Sequence, residues 1–417
     1  MRDGNASLAK SVLAVVKGLF AAVATTAVAG NITSVASIGD LQALGTSSST
    51  YSAVVVRGFY SGTTIGGGTF QWVSGNCWPN GGTVFSATGV PTSGAGAGCW
   101  FRQYQGNFLM ASWFGAKGSN STSDAALNTA TLQAGLNASQ VLNKGFMLDQ
   151  CERYYINNGL YAPLDQSVYQ GRPLKFVGCG APTPFAGNAL TGDPNQAHGS
   201  ILSMVGDRTL FAYHDWANHR GSGEVEIADI RWEGTTSSEL VYLQVFTGHS
   251  SFHHNQLVQY GTGSGLICAT CITSSIEWNH VVGASWNSSS GSRTGTGITI
   301  QAAVNGGLAK VANNTSRGFE YGYYIGGGAG NLIKPLFDHN EVSNDTYGWY
   351  VTAGTQGAVF RDNYAEGVGS AVFTNLGEFT RIEGTYAFSG FTQFIATGPS
   401  TFAGVYESNM PSVQDNH

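Results

Sequence analysis

Charge is scarce in this chain of 417 residues: Asp, Glu, Lys and Arg together make up 11%, and the net charge is −6. No Lys/Arg cluster occurs, which argues against nucleic acid as a partner. The repeat region lacks helix-forming runs of ten or more, which excludes a tetratricopeptide-type solenoid. No Gly-Lys-Ser/Thr follows the glycines at 62–68, and neither His-Glu-x-x-His nor Gly-x-Ser-x-Gly occurs. Phosphate-loop, zincin and serine-esterase chemistry therefore lack their sequence elements. His249, His253, His254, His280 and His339 fall at no ligand spacing, so no metal or cofactor is expected. The six cysteines fit no zinc pattern. Cys268 and Cys271 read as small buried packing residues in a strand, and Cys77 and Cys99 are able to meet within the N-terminal part.

Glycine, by contrast, is abundant, with 59 residues, about twice the usual ~7%. It punctuates a repeat. One phrase recurs as Phe252-His-His-Asn255, Ile276-Glu-Trp-Asn279, Val311-Ala-Asn-Asn314, Phe337-Asp-His-Asn340 and Phe360-Arg-Asp-Asn363, the asparagines 24, 35, 26 and 23 residues apart. Between them runs a second phrase: Gly265-Leu-Ile-Cys268, Gly297-Ile-Thr-Ile300, Gly322-Tyr-Tyr-Ile325 and Gly348-Trp-Tyr-Val351. Two interleaved phrases sharing a period of roughly 22 to 26 residues predict a solenoid with one coil per repeat. Short apolar alternations (Ile298/Ile300, Tyr323/Ile325, Trp349/Val351) bounded by Gly, Asn and Ser make it a β-solenoid. The recurring Asn is expected to take the left-handed turn conformation and to bond amide to amide along the axis.

Ahead of the repeats, Ser11 to Gly30 forms an apolar run interrupted by Lys17. A membrane span needs ~20 uncharged apolar residues, so insertion is not expected. Residues 1–34 read as an apolar helix that packs on copies of itself or a partner; the alternative is a signal sequence cleaved after Ala29. Residues 35–117 form a small β module, with Val54-Val-Val56, the glycines 62–68 as hairpin turns, Gly81-Gly-Thr-Val84 and Cys99-Trp-Phe-Arg102.

That module, followed by Ala111-Ser-Trp-Phe-Gly115-Ala-Lys-Gly118 and Asn128-Thr-Ala-Thr-Leu-Gln-Ala134, resembles the start of phage tailspikes with a pectin-lyase-like β-helix. Phe176-Val-Gly-Cys-Gly180 and Val225–Gly234 fit the same family. One departure stands out: the acidic residues that usually follow the lysine-glycine pair are replaced by Ser119-Asn-Ser-Thr-Ser-Asp124. The resemblance implies an all-β, right-handed single-stranded parallel β-helix, a capping helix and a homotrimer. Residues 118–142 supply the cap, with a helix over 125–141 started by Ser123 or Asp124 and an apolar stripe of Leu127, Ala130, Ala134 and Leu136. The β-helix takes 143–400, with excursions at 181–198 and 286–293, and 401–417 is a short tail.

In a β-helix, successive rungs ~4.8 Å apart bring distant residues into columns. Two positions before each ladder asparagine lie His253, Glu277, Ala312, Asp338 and Arg361, with Arg231 counted in from Glu233. Glu277 and Asp338, two rungs or ~9.6 Å apart, approach the ~6.5–9.5 Å of an inverting glycosidase pair. A second column is expected for Glu320, Asp345 and Glu366, beside the outward rings of Tyr324 and Tyr350. Carboxylates next to flat apolar rings suit sugar hydrolysis, with one acid for the leaving oxygen and one base for water. Crowded acids would also raise one pKa. Glu320 with Asp345 is the first choice and Glu277 with Asp338 the reserve; Tyr324, Tyr350, Trp286 and Arg361 are the expected sugar contacts.

The expected function is that of a phage tailspike on the virion. It would dock to the tail, baseplate or an adaptor through its N-terminus and cleave a bacterial surface polysaccharide, by hydrolysis or by lyase chemistry. The rivals are a non-cleaving adhesin of the same fold and a secreted polysaccharide lyase.

Overall fold

A computed structural model describes residues 32–45, 50–119, 121–162, 173–181, 199–213, 224–285, 293–302, 306–327, 330–388, 400–403 and 406–408. The helix expected over 1–34 falls outside these, apart from 32–34, which begin the strand Ile32–Val35. Among the described residues no helix is long and apolar enough to cross a membrane.

One compact unit holds the N-terminal module. In sheet order its strands are Ile32–Val35, Ala53–Gly58, Gly66–Ser74, Gly98–Gln103 and Val84–Ser86, the first pair parallel and the rest antiparallel. Val54, Val56 and Phe70 alternate inward and bury themselves with Phe85, Trp100 and the short helix α1 (Ile38–Ala43). Gly66, Gly67 and Gly68 are not hairpin turns; they begin a strand. The Arg102 guanidinium donates to the carbonyls of Gly67 (2.6 Å) and Gly66 (2.9 Å), and a Cβ on Gly68 would sit 2.6 Å from its nitrogen.

The other unit is the solenoid. Three long parallel sheets run along it, beside a short one of three strands, Gly306–Gly307, Leu332–Ile333 and Thr355–Gln356. Sheet I has eleven strands from Phe108–Met110 to Ser400–Ala403, sheet II ten from Arg153–Ile156 to Tyr406–Ser408, and sheet III eight from Leu160–Ala162 to Ala371–Asn375. Strands at 400–403 and 406–408 thus continue sheets I and II past the expected end at 400. The core is made of inward columns. In sheet I, Phe146, Phe176, Ile227, Phe252, Ile276, Val311, Phe337, Phe360 and Ile382 lie on one another, all essentially buried. In sheet III, Tyr323, Trp349 and Phe373 stack at 5.9 and 4.7 Å.

Five asparagines mark the corner between sheets I and II, all buried. The backbone N–H of Asn255, Asn279, Asn314 and Asn340 donates to the Oδ1 of the next asparagine at 3.0, 3.0, 3.1 and 2.8 Å. Each side-chain amide also donates back to a sheet I carbonyl of the preceding coil, such as Phe252 for Asn279 and Ile276 for Asn314. The left-handed position is the residue before the asparagine: His254, Trp278, Asn313, His339 and Asp362 have φ of 53°, 58°, 55°, 52° and 51°. The ladder amide needs extended geometry to face the axis, so its neighbour makes the turn.

Helix α2 (Ala125–Leu142) lies over the first coil, with Gln133 exchanging two hydrogen bonds with the Tyr161 backbone (2.9 and 2.8 Å). Its buried stripe is Asn128, Leu132, Gly135, Leu136 and Ser139, whereas Ala130 is exposed. Gly135 admits the Phe146 ring, which a Cβ would meet at 2.2 Å. Asn128 is turned inward because its amide clasps both backbone groups of Lys117 (2.8 and 3.0 Å). Asp124 caps nothing; its carboxylate holds Lys117 and Ser119. All six cysteines are paired, as Cys77–Cys99, Cys151–Cys179 and Cys268–Cys271, so the last two are not simple packing residues.

Candidate functional site

The column two places before the asparagines exists on the outer face of sheet I: Ala228, His253, Glu277, Ala312, Asp338, Arg361 and Glu383 stand in register. Arg231 is not in it but on sheet II. Asp338 is gripped by both prongs of Arg361 and by His339, and the Arg361 hydrogen bond leads in holding its carboxyl below the usual range. Glu277 pairs with Lys310 at 2.5 Å. A carboxylate stabilised in its charged form is a poor proton donor. Among the described residues Asp338, His339 and Asp362 also bring ligand atoms within 4.8 Å of one another, but Arg361 already occupies Asp338.

The second expected column does not form. Glu320, Asp345 and Glu366 precede the aligned positions Tyr321, Tyr347 and Ala371 by different numbers of residues, because the turns into sheet III differ in length. Glu366 instead lies in register with Ser343 and Arg317 on sheet II. Asp345 points into the solenoid and is 0% exposed. Its Oδ1 accepts the Phe319 N–H at 2.7 Å, and it lies against Gly322, where a Cβ would come 2.7 Å from Oδ2. Burial pushes its carboxyl up to about 7 against the hydrogen bond from Phe319 and the charge of Arg293. Asp345 therefore cannot touch a ligand outside, and the expected pair with Glu320 is not a pair of groove acids.

Tyr324 and Tyr350 do meet. They are neighbours on sheet III, stacked at 5.5 Å with 10° between planes. Tyr321 and Tyr347, in the next outward column, stack at 5.2 Å, and Tyr321 sits edge-on to Tyr350 at 5.2 Å. Four half-buried rings thus form one patch over two rungs. Glu320 lies at its edge and is hydrogen-bonded to the Tyr321 hydroxyl; burial, with that carboxylate next, pushes Tyr321 up to about 12. Along the column of Tyr324 and Tyr350, earlier coils carry Tyr242 and Tyr161. Tyr321 and Tyr347 were legible, each standing directly before a glycine of the second phrase.

Sheet II carries a smaller patch, in which Tyr364 stacks on Tyr386 at 5.8 Å and its hydroxyl reaches Glu366 at 3.4 Å. Trp278, 55% exposed, stacks on His254 at the asparagine corner. The sequence gives no separate signal for either. Trp286 lies outside the described residues.

Residues 34–105 match the model of the phage tail protein small four-stranded beta-sheet domain. No curated protein matches the sequence. Among solved structures this chain is similar to the tailspike protein of Acinetobacter phage vB_ApiP_P1 (15% identity, TM-score 0.59, covering 90% of this chain and 65% of that one). It is also similar to Pantoea stewartii WceF, a glycan biofilm modifying enzyme with a bacteriophage tailspike-like parallel beta-helix fold (14%, 0.57, 86% and 48%). The gp42 tailspike of Acinetobacter phage vb_AbaP_AS12 matches at 12%, with TM-score 0.50. This chain spans about half the length of WceF and 65% of the vB_ApiP_P1 protein. Its architecture is therefore that of the tailspike parallel β-helices, led by a phage-tail β-sheet domain.

Proposed function

We propose that this chain is a virion tailspike that binds a bacterial surface polysaccharide along its β-helix and depolymerises it by glycoside hydrolysis. The observation that carries the reading is the four-tyrosine patch with Glu320 at its edge. Ring faces and edges in two adjacent columns offer apolar area to sugar C–H faces, and the carboxylate offers a hydrogen-bond acceptor or a proton to the glycosidic oxygen. The fold shared with tailspikes and with a glycan-modifying enzyme supports it. The phage-tail domain at 34–105 supports attachment to the tail through the N-terminal part. A homotrimer belongs to the same proposal, and light scattering on purified protein tests it.

One observation favours a non-cleaving adhesin instead: Glu320 has no acid following it in its column, where Thr346 stands next, and Glu277 and Asp338 are both ion-paired. Reducing-end release from purified capsule or O-antigen decides. New reducing ends support hydrolysis, an unsaturated product absorbing in the ultraviolet replaces it with lyase chemistry, and binding without product leaves the adhesin.

A further inference from the structure

In earlier coils, the outer face of sheet II holds two guanidiniums and one carboxylate. Arg153 forms an ion pair with Glu233, and Ser203 joins it, accepting from Arg153 Nη1 at 2.6 Å and donating to Glu233 Oε2 at 2.9 Å. Arg231 Nε faces the other oxygen, Oε1, at 2.5 Å. Register brings them together: Ile201 pairs with both Arg153 and Arg231, and Ser203 pairs with Glu233. The side chains of Arg153, Arg231 and Glu233 are only 12%, 10% and 4% exposed. Tyr260, 37% exposed, stands at the rim with its hydroxyl bonded to Arg231, and the charges around that hydroxyl are these same three.

Two cations against one anion leave an excess positive charge in a largely buried place. Such a charge is strongly disfavoured unless a counter-ion completes it. Arg153 Nε and Arg231 Nε, also buried, have no hydrogen-bond partner among the described residues, and neither has Glu233 Oε1, which meets Arg231 as an ion pair only. A planar carboxylate fits what is missing, since guanidinium forks match it with two parallel hydrogen bonds.

We infer that the Arg153–Glu233–Arg231 cluster binds the carboxylate of an acidic sugar. The inference rests on the glycan-binding reading and sharpens it: sheet III stacks sugar faces, and this cluster selects a uronic-acid-type residue elsewhere on the polymer.

Thermal melting of the whole chain in glucuronate, glucose and inorganic phosphate, each balanced with NaCl to one ionic strength, tests it. Tm rises with glucuronate, stays flat with glucose and rises less with phosphate. Arg231→Gln removes the glucuronate response. Glu233→Gln strengthens it, lowering the half-saturating concentration by about tenfold, the weight of one charge-assisted hydrogen bond. A glucuronate response no larger than that of glucose, or matched by phosphate, overturns the assignment, and these wild-type titrations decide even if a variant fails to fold. Cleavage of a neutral polysaccharide with no glucuronate response removes this site alone. A glucuronate response without binding or cleavage of any polysaccharide removes the depolymerase reading alone.

Discussion

Asp338 and Arg361, consecutive in one column of sheet I, close a two-pronged ion pair, Nε to Oδ1 at 2.9 Å and Nη2 to Oδ2 at 2.8 Å. This ties down the acid of the reserve catalytic pair. Because its folded pKa is depressed, the stabilisation is present above the unfolded carboxylate value and is lost as pH falls through the folded one. Asp338→Asn should therefore melt slightly lower than the parent at neutral pH and equal to it in strong acid. Its depolymerase activity should be unchanged; a large loss of activity would return Asp338 to the catalytic list.

Asp345 titrates the other way. Its folded pKa is raised by burial to about 7 from the ordinary aspartate value of 3.8, so the wild type loses stability as pH rises between those values and levels off above. The span corresponds to on the order of 4 kcal/mol as an upper bound. Asp345→Asn keeps an acceptor for the Phe319 N–H without the charge, and its stability should be flat over that range. Urea melts at mildly acidic and mildly alkaline pH check it, and parallel slopes for both proteins would refute it.

Asn314 sits mid-ladder. Asn314→Ala strips the acceptor from the Asn279 N–H and the donor from the Ile276 carbonyl, and removes the amide bonds to Asn279 and Asn340, whose Oδ1 keeps only the Asn314 backbone N–H. Buried orphans of this kind cost about 1–3 kcal/mol each, so urea unfolding should reveal a loss of about 3 kcal/mol or more. Asn363→Ala, which breaks the bonds to Asn340 and Phe337, should cost less.

The tyrosine patch should behave as a binding hot spot. Tyr324→Ala and Tyr350→Ala should each weaken polysaccharide binding about tenfold, near the ~1.4 kcal/mol scale of an aromatic anchor. Neither ring fills the core, so the melting temperature should barely move. Surface-immobilised polysaccharide and a dilution series of each variant measure this.

Glu320→Gln separates chemistry from binding. If Glu320 protonates the leaving oxygen, the variant should lose at least about a hundredfold in reducing-end release while holding the polysaccharide as before. Retained cleavage would clear Glu320 of that role.

The solenoid and the asparagine ladder were legible because a buried amide can neither drift nor be replaced without orphaning its neighbours. The Glu277–Arg361 column was equally readable, since each strand there is three residues long and ends two residues before a ladder asparagine. Arg231 was misplaced because the coil turns at Asp229, so that Ile230, not Glu233, meets the ladder through Asn255 Oδ1. Glu320, Asp345 and Glu366 failed for a similar reason: turns of unequal length carry no marker of register, and counting back from a glycine slides one acid inside. The Arg153–Glu233–Arg231 cluster had no signature, because Arg153 comes from a strand two coils before the one that carries Arg231 and Glu233.

In the ladder each corner passes its N–H forward to an identical corner, so the shaft has no privileged length. Excising 315–340, the 26 residues that separate Asn314 from Asn340, would leave Asn314 facing Asn363 with the same bond to make. The spike would shorten by one storey, and Tyr321 and Tyr324 would vanish while Tyr347 and Tyr350 stayed. Ligand preference in such a molecule is thus editable by whole floors, without renegotiating the interior.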